Sequence, residues 1–360
     1  MKRIFLLLSV LLLLCGCSRT PDTLTTQSQT TAAAVPSSGW TAENGSKQYI
    51  GADGAYHTGW LELDGQRYYF DPNGILQTGW LEVDGQKHYF DANGALKTGW
   101  LILGKERYHF DENGNLQTGW LELNGKNYYF NADGTMHTGW LEQDGIRYYL
   151  RADGTPAKGS LEIDGQMHHF TSYGEPVLLV NPWNYLPEGY TVDLVYVENG
   201  CEVASSCYDA LQQMLTDCRA AGFDAQVCSG YRENDFQTEL YNDKLNYFLS
   251  LGYEPEAAER ETGKIVAVPG TSEHQLGLAV DIVDRNRWWL ENSTETTELQ
   301  NWLMEHCWDY GFILRYPNGK SDETGIIFEP WHYRYVGVKL AKELQTSGLC
   351  LEEYLDALTQ

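Results

Sequence analysis

The sequence predicts a multidomain protein: an N-terminal all-β solenoid of stacked hairpin repeats, then a C-terminal α+β domain with an antiparallel sheet. Three observations carry this expectation. Trp recurs at 40, 60, 80, 100, 120 and 140, each after Gly, so residues 38–175 follow a 20-residue period. The period stops near Asn181-Pro182, and residues 181–360 mix helical and strand patterns. A chain of 360 residues has room for two or three such domains.

The first 37 residues belong to neither part. Lys2 and Arg3 precede an apolar run from Ile4 to Leu14, short for a membrane span and right for a secretory core. The run ends Leu14-Cys15-Gly16-Cys17, which resembles a bacterial lipobox. That resemblance implies a signal segment over residues 1–17, cleavage after Gly16 and a lipid on Cys17. Acyl chains would hold the protein at the outer face of the bacterial cytoplasmic membrane, facing the wall, without a spanning helix. Residues 18–37 are rich in Thr, Ser, Ala and Gln and read as a flexible tether.

From Trp60 to Trp140 the repeated triplet is Thr-Gly-Trp. A turn such as Asp64-Gly65 follows, then an aromatic cluster such as Tyr68-Tyr69-Phe70, then a second turn such as Asn73-Gly74. Asp-Gly and Asn-Gly turns between short alternating runs signal hairpins. A single hairpin cannot bury such aromatics, so the units are expected to stack. A seventh copy, Lys158 to Phe170, has lost its Trp and is expected to cap the array.

These repeats resemble the cell-wall-binding family that includes choline-binding and glucan-binding modules. In the choline-binding type a Trp precedes the Tyr pair. Here that position holds Arg67, Lys87, Arg107, Asn127 or Arg147. One aromatic wall of a cation–π cage is therefore missing, and a bound cation would sit beside like charge. The expected ligand is a wall glycan or a teichoic-acid-like polymer, with Trp60, Trp80, Trp100, Trp120 and Trp140 as its contacts. The alternative is a spacer whose aromatics serve only the core.

In residues 181–360, Ser205 to Ala221 reads as an amphipathic helix with Ala210, Leu211, Met214, Leu215 and Cys218 on one face. Phe223 to Ser229 reads as a strand and Asp235 to Leu251 as a helix. Val266, Leu278, Val280 and Ile282 suggest strands; Glu298 to Tyr310 and Val338 to Ser347 suggest helices. Besides Cys15 and Cys17, six cysteines lie here: Cys201, Cys207, Cys218, Cys228, Cys307 and Cys350. An even number in an exported domain suggests disulfides. Many connectivities are open, with Cys218–Cys228 and Cys307–Cys350 favoured.

A net charge of −25 argues against a nucleic-acid partner, which calls for a basic face. Serine-nucleophile chemistry has no support either, because Gly-x-Ser-x-Gly is absent and the C-terminal part lacks Ser-x-x-Lys. A Walker-type phosphate loop is also absent.

Two short segments concentrate metal-binding chemistry. Ser272-Glu273-His274 is followed by Gly277 and Asp281, and Glu329-Pro330-Trp331-His332 lies downstream. In a regular strand the odd spacing of His274 and Asp281 puts them on opposite faces. Both can meet one ion only if the chain bends, which Gly277 permits. Pro330 breaks regular structure in the second segment, so His332 can face a metal while Glu329 stands beside it. Three protein ligands and an open fourth position suit a catalytic zinc. His306, beside Cys307 in the expected helix, has no acidic partner at ligand spacing and reads as structural, and the six repeat histidines read as fillers.

The patterns Ser-x-His-x6-Asp and Glu-x-x-His, with Ser229-Gly230-Tyr231-Arg232 and Gln237, resemble the zinc D-alanyl-D-alanine carboxypeptidases of the VanY type, related to the lysostaphin and hedgehog fold group. The likeness covers about residues 181–358. It implies His274, Asp281 and His332 as ligands of one Zn2+ and Glu329 as general base. It further implies that Arg232 contacts the substrate or its oxyanion, with Gln237 and Ser272 also at the substrate. The expected partners are peptidoglycan stem peptides, trimmed of their terminal D-Ala. A D,D-dipeptidase or an endopeptidase would share these motifs, and a wall-binding protein with a vestigial peptidase domain is the rival outside enzymes.

Overall fold

The computed structural model describes residues 38–359 apart from 44, 288–289, 291–293 and 295. The expected signal segment, the lipidated Cys17 and the tether lie outside the described residues. Among the described residues no helix is long and apolar enough to cross a membrane. The chain divides into two compact units, one ending at Lys97 and one beginning at Thr98.

In the first unit each repeat is its own antiparallel hairpin. Gly59–Leu63 pairs with Gln66–Phe70, setting Trp60 opposite Tyr69 and Leu61 opposite Tyr68. Asp64 and Gly65 at the tip both have positive φ, 52° and 74°, as a two-residue type I′ turn requires. Beyond the hairpin, Asp71 Oδ1 accepts bonds from Asn73 N (2.9 Å) and Ile75 N (2.8 Å), closing the second turn. Leu76 N then donates to Lys47 O (2.9 Å), tying one repeat to the hairpin before it. Trp40 packs on Tyr68 of the next hairpin at 5.1 Å, and Phe70 and Phe90 are fully buried. Each hairpin thus covers rings its neighbour leaves open. The sheets remain separate two-stranded hairpins and do not merge into a continuous sheet.

The second unit continues the pattern. Trp100 packs on Tyr128 (5.2 Å) and Trp120 on Tyr148 (5.0 Å). The Trp-less seventh copy, Gly159–Ile163 with Gln166–Phe170, gains Pro176–Val177 as a third strand. Ser160 stands at its Trp position, and its N–H donates to Thr359 Oγ1 (2.8 Å) in the last helix. This copy ends the array against other structure.

Beyond it lie helices α1 (Ser205–Ala220), α2 (Asn234–Ser250), α3 (Pro255–Gly263), α4 (Glu298–His306), α5 (Ser321–Thr324), α6 (Val338–Ser347) and α7 (Leu351–Thr359). A hairpin, Leu194–Glu198 with Cys201–Ala204, leads in. The main sheet is antiparallel, in the order Ala225–Ser229, Ala279–Asp284, His332–Tyr335, Phe312–Leu314. α1 buries Cys207, Leu211, Met214, Leu215 and Cys218, which pack with Val227, Ile282, Leu303, Phe312 and Tyr333. A second apolar cluster joins Leu340 and Leu344 of α6 to Leu351 and Leu355 of α7.

The expected helices at 205, 235, 298 and 338 are present, the third ending in a 3₁₀ turn over Cys307–Tyr310. Val266, expected in a strand, lies in a loop. Strands Phe312–Leu314 and His332–Tyr335 were not expected, because only pairing stabilises such short runs.

The expected disulfides are absent: all six cysteines of residues 201–350 are free thiols. Cys218 lies in the core with Val227. Successive strand residues face opposite ways, so Cys228 is turned from that core, its Sγ directed at Asp281 O (3.5 Å). Cys307 belongs to the first apolar cluster, whereas Cys350 heads α7 beside the second. Burial pushes Cys207, Cys218, Cys228, Cys307 and Cys350 up to about 12, so these thiols behave as small apolar side chains.

Candidate metal centre and active site

The sheet itself brings two candidate ligands together. Asp281 and His332 are direct cross-strand partners, a position that sets side chains on one face about 5 Å apart. His274 arrives separately, from a 3₁₀ turn over Glu273–Leu276. Gly277 ends that turn at φ 72°, and a Cβ there would come within 3.1 Å of Ala204 N. The bend expected from sequence is therefore a left-handed glycine under close packing. Glu329 N donates to Tyr316 O (3.1 Å) and His332 N to Glu329 O (3.2 Å), forming the turn that feeds His332 into its strand.

Among the described residues, His274, Asp281 and His332 are the group able to hold a metal, with ligand atoms within 4.8 Å of one another and all three side chains buried. His274 Nδ1 bonds the Gly230 carbonyl at 2.7 Å, which leaves Nε2 facing Asp281 Oδ2 at 3.4 Å. His332 Nδ1 lies 3.2 Å from Asp281 Oδ1 and 3.6 Å from Glu329 Oε2. Asp281 Oδ1 is buried with no hydrogen bond. Asp281 thus turns Oδ2 toward His274 Nε2 and the orphaned Oδ1 toward His332 Nδ1, a His–Asp–His donor set that fits Zn2+.

The titrating groups are strongly perturbed. Burial lowers His274 to about 4, with the Arg232 cation adding to the effect. Burial would also lower His332, but the Asp281 and Glu273 carboxylates outweigh it and hold that ring at about 9. Burial pushes the Glu329 carboxyl up to about 8, and the Asp281 charge adds to that rise.

Arg232 donates from Nε and Nη2 to Ser229 Oγ (3.1 and 2.9 Å), and from Nη2 to Asp281 Oδ2 (3.0 Å). Its Nη1 reaches Gln237 Oε1 at 3.4 Å. Four of the five N–H groups are thus engaged, so the guanidinium offers one further contact in this conformation, not a two-pronged fork. Gln237, expected at the substrate, is fully buried behind Arg232, with Nε2 on Ala267 O (2.7 Å). There it bridges Arg232 and the backbone at Ala267. Ser272 does face the cavity.

That cavity holds about 340 Å3. Arg232, His274, Asp281, Glu329 and His332 line one side, and Ile265, Val266, Ile326, Ile327 and Trp331 form an apolar wall. Lys244 of α2 adds a second cation. Sequence reasoning missed Lys244 and Tyr316, because neither sits in a motif and only the tertiary fold turns them inward.

It also missed Glu273, between two motif residues. Its side chain is fully buried, with Oε1 accepting from Arg315 Nε (2.8 Å) and Arg334 Nη1 (2.9 Å). Burial would raise its pKa, but the two guanidinium groups hold it well below the usual carboxylate range. Oε2 stands 3.7 Å from His332 Nε2, an ion-pair separation rather than a hydrogen bond. Arg315 continues to Glu352, and Glu352 to Asn181 Nδ2 (2.9 Å), so a buried polar chain runs from the metal site to α7.

Comparison with known proteins agrees with this geometry. The D-alanyl-D-alanine carboxypeptidase family VanY matches residues 200–338. A choline-binding repeat family matches 77–117 and 117–158, and a cell-wall-binding repeat family matches 58–76. A D-alanyl-D-alanine carboxypeptidase of Enterococcus faecalis is 42% identical over 180 residues, covering 50% of this chain and 65% of the relative. The Enterococcus gallinarum bifunctional D-Ala-D-Ala dipeptidase and carboxypeptidase VanXYC is 36% identical over 39% of this chain and 73% of its own. A solved vancomycin-resistance D,D-pentapeptidase VanY mutant in complex with Zn(II) is 42% identical, covering 49% of this chain and 97% of that one, with a TM-score of 0.46. The chain spans a little under two thirds of the length of the Enterococcus faecalis relative. Through residues 200–338 and the motif residues gathered at the site, the chain belongs to the VanY D-alanyl-D-alanine carboxypeptidase family.

Proposed function

We propose that the protein is a zinc D,D-carboxypeptidase that removes the terminal D-Ala from peptidoglycan stem peptides, with its repeats holding it at the wall. The convergence of His274, Asp281 and His332 beside Glu329, in a cavity with one apolar wall, carries the reading. His274 Nε2, Asp281 and His332 Nδ1 would hold the ion. Bound there, zinc supplies a Lewis acid and lowers the pKa of water to about 7.

Glu329 handles the proton. As the carboxylate it takes a proton from the attacking water and returns it to the departing amine, and burial, by raising its pKa, makes it a stronger proton acceptor than an exposed glutamate. Arg232 directs its remaining N–H at the carbonyl oxygen that becomes negative, or at the terminal carboxylate of the substrate. Asp281 anchors Arg232 through Oδ2, which also faces His274, while its Oδ1 faces His332, so one carboxylate sets all three groups. The apolar wall of Ile265, Val266, Ile326 and Ile327 suits the methyl side chains of a D-Ala pair and excludes water.

The repeats present half-exposed Trp faces, with Trp80 43% and Trp120 38% exposed. Arg67 lies over the Trp60 ring at 4.3 Å, and Arg147 over Trp140 at 4.1 Å. At these two rings a guanidinium of the chain itself covers the face that would receive a quaternary ammonium. This supports a glycan or a phosphate-bearing wall polymer over choline.

Mass spectrometry on a muropeptide pentapeptide ending in D-Ala-D-Ala tests the activity. Loss of one alanine is the expected result, abolished in Glu329→Ala with zinc still bound. Release of the dipeptide or an internal cut would move the assignment to the dipeptidase or endopeptidase. No product from zinc-loaded protein would leave the wall-binding reading.

A further inference from the structure

We propose that a cleft beside the seventh hairpin is a saccharide site for the peptidoglycan glycan strand. Resting on the peptidase reading, this means the sugar is gripped while its stem peptide enters the catalytic cavity. The cleft holds about 600 Å3, more than the catalytic cavity, and is lined by Trp140, His168, His169, Trp183, Asn184 and Tyr185 among others.

Trp183 and Tyr185 are 62% and 64% exposed, although the segment bearing them is tightly held. Asn181 Oδ1 accepts from Trp183 N (3.1 Å), Asn184 N (3.0 Å) and Asn184 Nδ2 (2.9 Å), while its Nδ2 is bonded to the buried Glu352. Pro182 packs so closely on Gly325 that a Cβ there would lie 2.5 Å from the proline ring. A rigid backbone that leaves two large rings in water loses little entropy on binding, the condition for a preorganised platform. Polar groups from His168, His169, Asn184 and Glu188 share the cleft. Apolar ring faces beside hydrogen-bonding groups match a pyranose, which has C–H faces and a rim of hydroxyls and N-acetyl groups.

The cleft adjoins the catalytic cavity. Leu186 N donates to Gly270 O (2.7 Å), and Tyr185 Cδ1 lies 3.3 Å from the Cβ position of Gly270. Gly270 precedes Ser272 and His274 in the chain, and four residues span at most about 14 Å. The four stem-peptide residues that precede the terminal bond likewise reach at most about 14 Å, so a sugar beside Tyr185 can direct that bond toward His274. On the other flank, Gly325 under Pro182 leads directly into Ile326 and Ile327 of the cavity wall.

The test uses the zinc-loaded full chain and the variant Trp183→Ala/Tyr185→Ala, which touches none of the catalytic residues. Free pentapeptide is compared with pentapeptide still attached to soluble glycan strands. Wild type is expected to show at least about tenfold higher kcat/KM on the glycan-linked substrate, and the variant to lose that advantage while keeping its rate on free peptide. Equal rates of wild type on both substrates, or an unchanged variant, would overturn the proposal. Should wild type cleave neither substrate, the peptidase reading fails, and calorimetry with a β-1,4-linked N-acetylglucosamine hexamer judges the cleft alone. Binding that is lost in the variant supports the site. Absence of binding, or loss in the variant of affinity for poly(glycerol phosphate) instead, refutes it.

Discussion

Replacing Glu273 by Gln tests how the fold holds the metal site. The change is nearly isosteric but removes the one carboxylate shared by Arg315 and Arg334. Arg315 keeps Glu352 through two bonds of 2.9 and 2.6 Å, so its charge stays compensated. Arg334 retains only carbonyl acceptors, Tyr335 O and Leu178 O. Breaking a buried pair by removing one partner costs about 3–5 kcal/mol, and the surviving Glu352 places this variant near the lower end. The amide also turns a donor, or at best a neutral oxygen, toward His332 Nε2, where the carboxylate had favoured a proton. Without that preference the proton can settle on Nδ1, the nitrogen that faces Asp281. Carboxylates behind metal-ligating histidines are worth about 10–100-fold in metal affinity. Urea unfolding of the zinc-free protein and zinc competition against a chelator read the two effects separately. Adding Arg334→Met to Glu273→Gln should recover part of the stability and none of the zinc affinity. Stability within about 0.5 kcal/mol of wild type, with unchanged zinc affinity, would refute the reasoning.

Four further outcomes follow. Gly277→Ala should destabilise the protein by about 1–3 kcal/mol and lower zinc affinity, because a Cβ at φ 72° meets Ala204 N and displaces the His274 turn; chemical unfolding and chelator competition measure both. In unreduced protein in urea, six thiols of residues 201–350 should react with a thiol reagent, and a shortfall of two would reveal a bridge. For Cys207, Cys218, Cys307 and Cys350 the folded value of about 12 exceeds the unfolded one near 9, so their contribution to stability is complete below pH 9 and is lost as pH rises toward 12; melting curves across that range should show the fall. Arg67→Ala with Arg147→Ala should weaken binding to isolated anionic wall polymer in a pull-down, and gain of choline-resin retention by the variant would show that the guanidinium groups had filled a choline cage.

Much of this protein is local and was legible in the chain. The hairpins follow from Asp-Gly and Asn-Gly tips and a Trp every 20 residues, since turn chemistry and alternation act within a few residues. α1 and α6 follow from apolar spacing on one helical face, and Gly277 from the need to bend between His274 and Asp281. Motif residues alone named the three candidate ligands and Glu329. Other features depend on pairing across long separations, which no local pattern encodes. The register that sets Asp281 opposite His332 depends on the four-residue strand His332–Tyr335, too short to announce itself. Gln237 went behind Arg232 because the burial of α2 decides which way that side chain points. The cysteines stayed unpaired because strand direction and separate apolar clusters hold them apart, whatever their even number suggested. Glu273 was printed between two motif residues, yet its meaning came only when the fold buried it against Arg315 and Arg334, since a carboxylate acquires a charge partner only once distant chain is brought beside it.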